Sequence, residues 1–310
     1  MSCSKKLKNG ELLELIAWGR EELLRAGIEE AQEECERAMM KFFGCSRSAI
    51  YLEEHELNVS GVRGRFLALI EKRLQRIPLA YLLKEADFWQ ETLYVDERCL
   101  IPRPETEILV EQVLKVFGKD AERGFSFLDI GTGSGAIAIA ILRTFKRTQG
   151  TLLDISGDAL EVAGENLGRY ALGDRGKRVL GDLFQPFSSG EKWDLIVSNP
   201  PYLSAEDWTG IQEELKFEPR KALDGGKDGL DFYRKILVGA KEHLVPGGMI
   251  ALEVGGQAGP PIGPACLRGL DVPSSQAEKV SKWLQEAGYD NIQRFNDHLK
   301  VQRVVTAYKL

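Results

Sequence analysis

From residue 125 onward, short apolar runs alternate with longer stretches of helical spacing. The runs are FSFLDI, GTLLDI, WDLIVSN and GMIALEV. They lack the in–out alternation of a strand with one wet face, so they read as strands covered on both sides. Between and after them, AIAIAILRTF, DALEVAGENLGRYA, LDFYRKILVGAKEHL and SQAEKVSKWLQEAG have the spacing of amphipathic helices. Strand–helix alternation of this kind permits essentially one architecture. It is an α/β, doubly wound, Rossmann-like parallel sheet with helices on both faces. The last segment, NIQRFNDHLKVQRVVTAYKL, reads as two strands with no room for a crossover helix between them. They are expected to form a C-terminal antiparallel hairpin.

The preceding third reads differently. Leu12, Leu13, Ile16, Leu23 and Leu24 form one helical stripe, with Gly27 where a C-terminal cap belongs. Ala31, Cys35, Ala38, Met39 and Phe42 form a second, ending at Gly44, and Val62, Phe66, Leu69, Ile70 and Leu74 a third. Residues 1–85 are therefore expected to be a small helical bundle domain for packing or partner docking. Residues 86–101, with aromatic and β-branched residues near turn formers, are expected to be a linking hairpin. Residues 102–310 form the α/β domain. In them, Pro104 opens a helix with Glu105 and Glu107 in its first turn. Residues 256–275, rich in Gly and Pro and without periodicity, read as a loop insertion.

The charge balance of 41 Lys+Arg against 47 Asp+Glu argues against a protein that coats nucleic acid, which needs a basic surface. Five cysteines without C-x-x-C spacing and three scattered histidines argue against a zinc site or a disulfide framework. No metal is expected. A reducing cytoplasmic setting fits, as does the lack of an apolar run of the roughly 18 residues that a membrane helix needs.

The residues Gly131-Thr132-Gly133-Ser134-Gly135 lie between the first strand and its helix. The spacing is G-x-G-x-G, not the G-x-G-x-x-G whose third glycine lets a helix close on a pyrophosphate. Asp129, just ahead, would bring a carboxylate toward the ligand; it would repel a pyrophosphate and attract a cationic amino acid group. Asp154 ends the next strand, where an acid can accept hydrogen bonds from both ribose hydroxyls. Asp182 follows a further expected strand and could accept from an adenine amine, with Leu183 beside the ring. Three acids and no phosphate clamp describe a site for a cationic adenosine derivative without phosphate. S-adenosylmethionine matches that description.

The strand WDLIVS runs into Asn199-Pro200-Pro201-Tyr202. Ligands of open α/β sheets bind beyond the carboxyl ends of the strands, so this tetrapeptide is expected to face the crevice. Its chemistry suits methylation of a planar nitrogen, whose delocalised lone pair makes it a poor nucleophile. Asn199 offers a side-chain carbonyl and Pro200 a backbone carbonyl, which together can hold both hydrogens of an NH₂ group. The prolines stiffen the turn, and Tyr202 can pack its ring on the planar group.

These residues resemble class I methyltransferases that act on planar nitrogens. Three longer stretches, QRIPLAYLL (75–83), LIPRPETEILV (100–110) and EPRKALDGGKDGLDFYRKI (218–236), are similar to those of the HemK/PrmC family, protein-(glutamine-amide) methyltransferases of peptide chain release factors. The likeness runs from about residue 78 to 254 and resumes at 276. It implies that the donor is S-adenosylmethionine and the product S-adenosylhomocysteine. It implies a donor site of residues 131–135, Asp154, Leu183 and Asn199, to which Asp129, Ile155 and Asp182 are added as expected cofactor-binding residues. It implies that Asn199, Pro200, Pro201 and Tyr202 hold the glutamine of a Gly-Gly-Gln loop, with Arg103, Pro104, Glu105 and Thr106 near the mouth. Asn199, Pro200 and Tyr202 would be the catalytic residues, and the helical domain would recognise the release factor. Contact with membrane or nucleic acid is not implied. The 256–275 stretch is extra to the family pattern, and Leu183 stands where relatives often carry an aromatic.

Other readings share parts of this pattern. Methylation of a ribosomal-protein glutamine would use the same pocket. An adenine methyltransferase would use a similar Asn-Pro-Pro-Tyr turn on an extruded base, but the acidic balance opposes it. A dinucleotide oxidoreductase is opposed by the glycine spacing and by Asp129. A binding module would need a degenerate pocket, and no expected pocket residue is missing.

Overall fold

The computed structural model describes residues 9–52, 61–120, 122, 124–255 and 275–310. The expected 256–275 insertion lies outside the described residues, save Ser275. The chain divides into two compact units.

The first unit comprises residues 1–84 together with Glu213–Phe217. Its helices are α1 (Asn9–Arg25), α2 (Ala31–Phe43), α3 (Arg47–Leu52), α4 (Val62–Leu74) and α5 (Leu79–Leu83). Their apolar stripes meet in a core that includes Leu12, Ile16, Leu23, Cys35, Met39, Phe66 and Ile70. Two residues assigned to the stripes, Leu24 and Leu74, are instead exposed, while their neighbours Leu23 and Arg73 in the same turns are the ones buried. Gly44 caps α2 in the left-handed conformation, its N–H bonding to the Met40 carbonyl. Arg73 is almost fully buried and ties two carboxylates, donating to Glu34 at 2.8 Å and to Glu214 at 3.0 Å. The segment that follows the Pro-Pro-Tyr turn therefore contributes to this unit through Glu214, a long-range pairing that no local sequence pattern marks.

The second unit comprises Glu85–Gln212 and Glu218–Leu310. It opens with a two-stranded hairpin, β1 (Ala86–Phe88) and β2 (Glu91–Leu93). A 3-10 turn, Pro104–Thr106, leads into α6 (Glu107–Phe117). There follow β3 (Ser126–Ile130), α7 (Ala136–Thr144), β4 (Gln149–Asp154), α8 (Gly157–Arg169), β5 (Gly176–Leu180), β6 (Trp193–Ser198), α9 (Asp231–His243), β7 (Leu244–Glu253), α10 (Gln276–Glu286), β8 (Tyr289–Asn296) and β9 (Gln302–Lys309). The sheet order is β5-β4-β3-β6-β7-β9-β8, parallel from β5 to β7 and antiparallel thereafter.

Alternation along each central strand divides the core in two. Phe127, Leu152, Leu195, Val197 and Ala251 pack with α6, α7 and α8. Leu128, Leu153, Ile196, Ile250 and Leu252 pack with α9 and α10 on the other face. The edge strand β5 carries no apolar run, because much of it is exposed. The chain leaves β3 toward β4 on one side and, later, places β6 on the other. The resulting crevice at the carboxyl ends of β4, β3 and β6 is the position where such sheets hold ligands.

Candidate active site

In that crevice lies a cavity of about 720 Å³. Its lining includes Gly131, Gly133, Asp154, Ile155, Asp182, Leu183, Asn199, Pro200 and Pro201 of the expected site. The strand register explains their meeting. Ile130 pairs with Leu153 on one side and with Ser198 on the other, so the glycine loop, Asp154 and Asn199 emerge from three adjacent strand ends. Asp182 and Leu183 follow β5, whose Leu180 pairs with Asp154.

The glycine loop is shaped by backbone hydrogen bonds. The N–H groups of Gly131 and Thr132 both donate to the Leu153 carbonyl, at 2.8 and 3.0 Å. Gly131 and Gly133 have φ of 72° and 55°, a region that side chains oppose. A Cβ at either would meet no protein atom within 4 Å, so packing does not demand glycine there; backbone conformation and clearance for a ligand do. Asp154 accepts from the N–H of Gly133 and of Ser156, each at 2.9 Å. Burial pushes its carboxyl up while these N–H bonds pull it down, and the balance stays above the ordinary carboxylate value. Beside it Ile155 is 57% exposed, a large apolar surface turned to the cavity rather than to a core. An apolar face next to a carboxylate suits a ribose with an adjoining flat base.

Several expected residues take other positions. Thr132 and Ser134 are buried, and Gly135 caps α7. Asp129 is fully buried beneath the loop and does not line the cavity; the Thr132 hydroxyl donates to it at 2.7 Å. The cause is strand alternation, which turns Asp129 to the same sheet face as Phe127, under α7. Burial raises its carboxyl to about 7; the Thr132 bond opposes the rise and nearby Asp154 adds to it. Arg103, Pro104, Glu105 and Thr106 do not line the cavity either. Arg103 pairs with the buried Glu218, whose other oxygen accepts from the Ile101 N–H at 3.0 Å. Thr106 is buried and accepts from the Asn199 Nδ2 at 3.1 Å.

The Pro-Pro-Tyr turn is held from outside the cavity. The Tyr202 carbonyl accepts from Gln276 at 3.0 Å, and the Leu203 backbone bonds to Leu223 and Gly225. A Cβ at Gly225 would lie 2.8 Å from the Pro201 oxygen, and one at Gly229 2.4 Å from the Tyr202 oxygen. Only glycine lets the 218–236 stretch wrap this closely around the turn. Tyr202 is half-buried behind the cavity, with burial and then the Glu253 charge pushing its hydroxyl well above its usual range.

Motif reasoning missed further lining residues: Arg98, Leu100, Lys221 and Phe232. Arg98 is fixed by Asp96 at 2.8 Å, Glu161 at 3.0 Å and Glu165 at 3.1 Å. Leu100, Lys221 and Phe232 lie within the 100–110 and 218–236 stretches and Arg98 two residues before the first, but no pattern marked any of them as lining the cavity.

A mostly parallel seven-stranded sheet with a glycine loop after its first parallel strand defines a class I methyltransferase. The solved hMettl16 catalytic domain shares the fold, with a TM-score of 0.52 at 14% identity over 79% of this chain and 81% of that one. A family model described as "PrmC N-terminal domain" matches residues 14–83, and one described as "Methyltransferase small domain" matches residues 105–255. The release factor glutamine methyltransferase of Clostridium acetobutylicum is 35% identical over 258 residues, covering 83% of each chain. That of Geobacter sulfurreducens is 38% identical, over 79% of this chain and 84% of its own. That of Rhodopirellula baltica is 31% identical, over 96% of each. The chain belongs to the release factor glutamine methyltransferase family. Among the described residues no helix is long and apolar enough to cross a membrane.

Proposed function

We propose that this protein transfers a methyl group from S-adenosylmethionine to the side-chain amide nitrogen of the glutamine in the Gly-Gly-Gln loop of peptide chain release factors, in the cytoplasm. The observation that carries the reading is the placement of Asn199 and Pro200 on the wall of one cavity whose other wall is the glycine loop, Asp154 and Ile155.

The cavity's residues fit the donor. Asp154 offers acceptors to a ribose, Ile155 and Leu183 offer apolar surface to a base, and Asp182 offers an acceptor at the far end. When bound, the donor supplies a methyl group on a cationic sulfur, and S-adenosylhomocysteine is left as product. The remaining chemistry belongs to the chain. An amide nitrogen is a poor nucleophile because its lone pair is delocalised into the carbonyl. The Asn199 Nδ2 is already engaged by Thr106, which leaves Oδ1 to accept one N–H of the substrate amide. The Pro200 carbonyl accepts the other. Gripped by both hydrogens, the nitrogen is aimed at the methyl carbon, and orientation with fixed dipoles lowers the barrier. The proton leaves after transfer, so no general base is needed beforehand. Tyr202 backs the turn that carries both acceptors. The helical unit is assigned to recognition of the release factor.

Incubation with methyl-labelled donor and three separate acceptors tests this: a release factor, the ribosomal proteins, and duplex DNA. Label on the release factor, lost when its loop glutamine is replaced by alanine, is the expected result. Label on ribosomal protein or DNA alone overturns it.

A further inference from the structure

Pro200 and Pro201 carry no N–H, so half of the Asn199–Tyr202 turn cannot be tied down by backbone donation. The turn has to be held through its acceptors, and Gln276, the first residue of α10, does so. The Gln276 Nε2 donates to the Tyr202 carbonyl at 3.0 Å and to the Gly229 carbonyl at 3.3 Å, and its Oε1 accepts from the Gly255 N–H at 2.9 Å. One side-chain amide thereby joins the turn, the 218–236 stretch, the chain just past β7 and the start of α10. Its mounting is firm. Ser275 and Glu278 close a capping box around the first turn of α10, and Ala277, Val280 and Leu284 pack into the core beneath the helix.

The partners dictate the residue. Two are carbonyls, which only accept, and one is an N–H, which only donates, so the group between them needs two donors and an acceptor. A glutamate would set a carboxylate oxygen against two carbonyl oxygens, and an asparagine is one methylene short. The surrounding glycines leave room for this amide and little more. A Cβ at Gly255 would lie 2.8 Å from the Gln276 Oε1, and one at Gly229 2.6 Å from its Nε2. The rings of Pro200 and Pro201 set φ at both positions. The direction of the Pro200 carbonyl then follows from where the two ends of the turn are held. One end is Ser198, in register with Ile130, and the other is Tyr202, on Gln276. We infer that Gln276 is a positioning residue for methyl transfer, whose amide fixes the end of the turn and through it the Pro200 carbonyl that grips the substrate nitrogen. The inference rests on the proposed function for what that carbonyl grips, whereas the hold on the turn belongs to the protein alone.

Two measurements on the full chain test it. The first is turnover with saturating donor and release factor. Gln276→Glu and Gln276→Met, which keep the length of the side chain, are expected to lower kcat about 10–100-fold while the donor Kd moves less than about threefold. Leu284→Ala, a cavity two turns further along α10, is the control for stability alone. It is expected to lower the melting temperature at least as far as the Gln276 variants and to keep kcat within about threefold of the parent. The second measurement is hydrogen exchange. The Leu203 and Gly225 N–H groups bond across the base of the turn at 2.9 and 2.8 Å. Relative to the amides of β3, which report global opening, they are expected to exchange about tenfold or more faster in both Gln276 variants and not in Leu284→Ala. A kcat within about threefold of the parent in both Gln276 variants overturns the inference. So does a kcat loss in Leu284→Ala as large as theirs, or exchange at Leu203 and Gly225 that follows β3 in every variant. If the parent protein labels no release factor, the proposed function fails, and the exchange ratios still decide whether Gln276 holds the turn.

Discussion

The two walls of the cavity are built by opposite means. On the glycine-loop wall, polar groups are fixed by backbone. The N–H groups of Gly133 and Ser156 hold Asp154, and the Leu153 carbonyl holds the loop. Nearly every partner is close in sequence or in the adjacent strand. On the Asn199 wall, polarity is set by side chains at positions 106 and 199, brought together only by tertiary folding. The first wall offers a rigid, shape-selective surface that tolerates loss of one contact. The second depends on single side-chain hydrogen bonds, so small changes there should reach turnover rather than binding.

That contrast predicts a split in kinetic effects. The largest loss belongs to Asn199→Ala, expected to lower kcat by about 10²–10³-fold or more. Its donor Kd should weaken less than about tenfold, as calorimetry would read; near-normal turnover would erase the distinction between the walls. Asp154→Ala should do the reverse. Loss of an ionised acceptor for ribose hydroxyls is expected to weaken donor affinity about 10–100-fold, with kcat at saturating donor little changed. A kcat loss larger than the affinity loss would show that Asp154 acts on the reacting atoms.

A smaller effect concerns stability. The Asp129 carboxyl is raised to about 7 in the folded chain against an ordinary value of 3.8. Between these values the folded state holds a proton that the unfolded state has lost. Stability therefore falls as pH rises from about 4 to about 7, and the cost is complete above that. Asp129→Asn removes this contribution, so its denaturation midpoint should fall less across that window than the parent's. Equal slopes would mean that Asp129 is ionised throughout.

The sequence made the glycine-loop wall legible because its signals are local. A glycine cluster between strand and helix, and an acid at the next strand end, need only a turn and a register to meet. The Asn-Pro-Pro-Tyr turn was legible for the same reason. Its support was not. Thr106 read as a residue at the mouth, yet the turn Pro104–Thr106 buries it against Asn199. Asp129 shows the converse. The motif aimed it at the ligand, whereas strand alternation with Phe127 turns it under α7. The pairing of Arg73 with Glu214 joins residues 141 apart in sequence, and nothing short-range encodes it.

The central claim is that two oxygens, one on a side chain and one on the backbone, grip a planar NH₂ from the Asn199 wall. A structure of the protein with S-adenosylhomocysteine and a Gly-Gly-Gln peptide tests it most directly. The account predicts the glutamine Nε2 about 3 Å from both the Asn199 Oδ1 and the Pro200 carbonyl oxygen, with the Asn199 Nδ2 still on Thr106. A glutamine seated away from Asn199, or one facing its Nδ2, would contradict it.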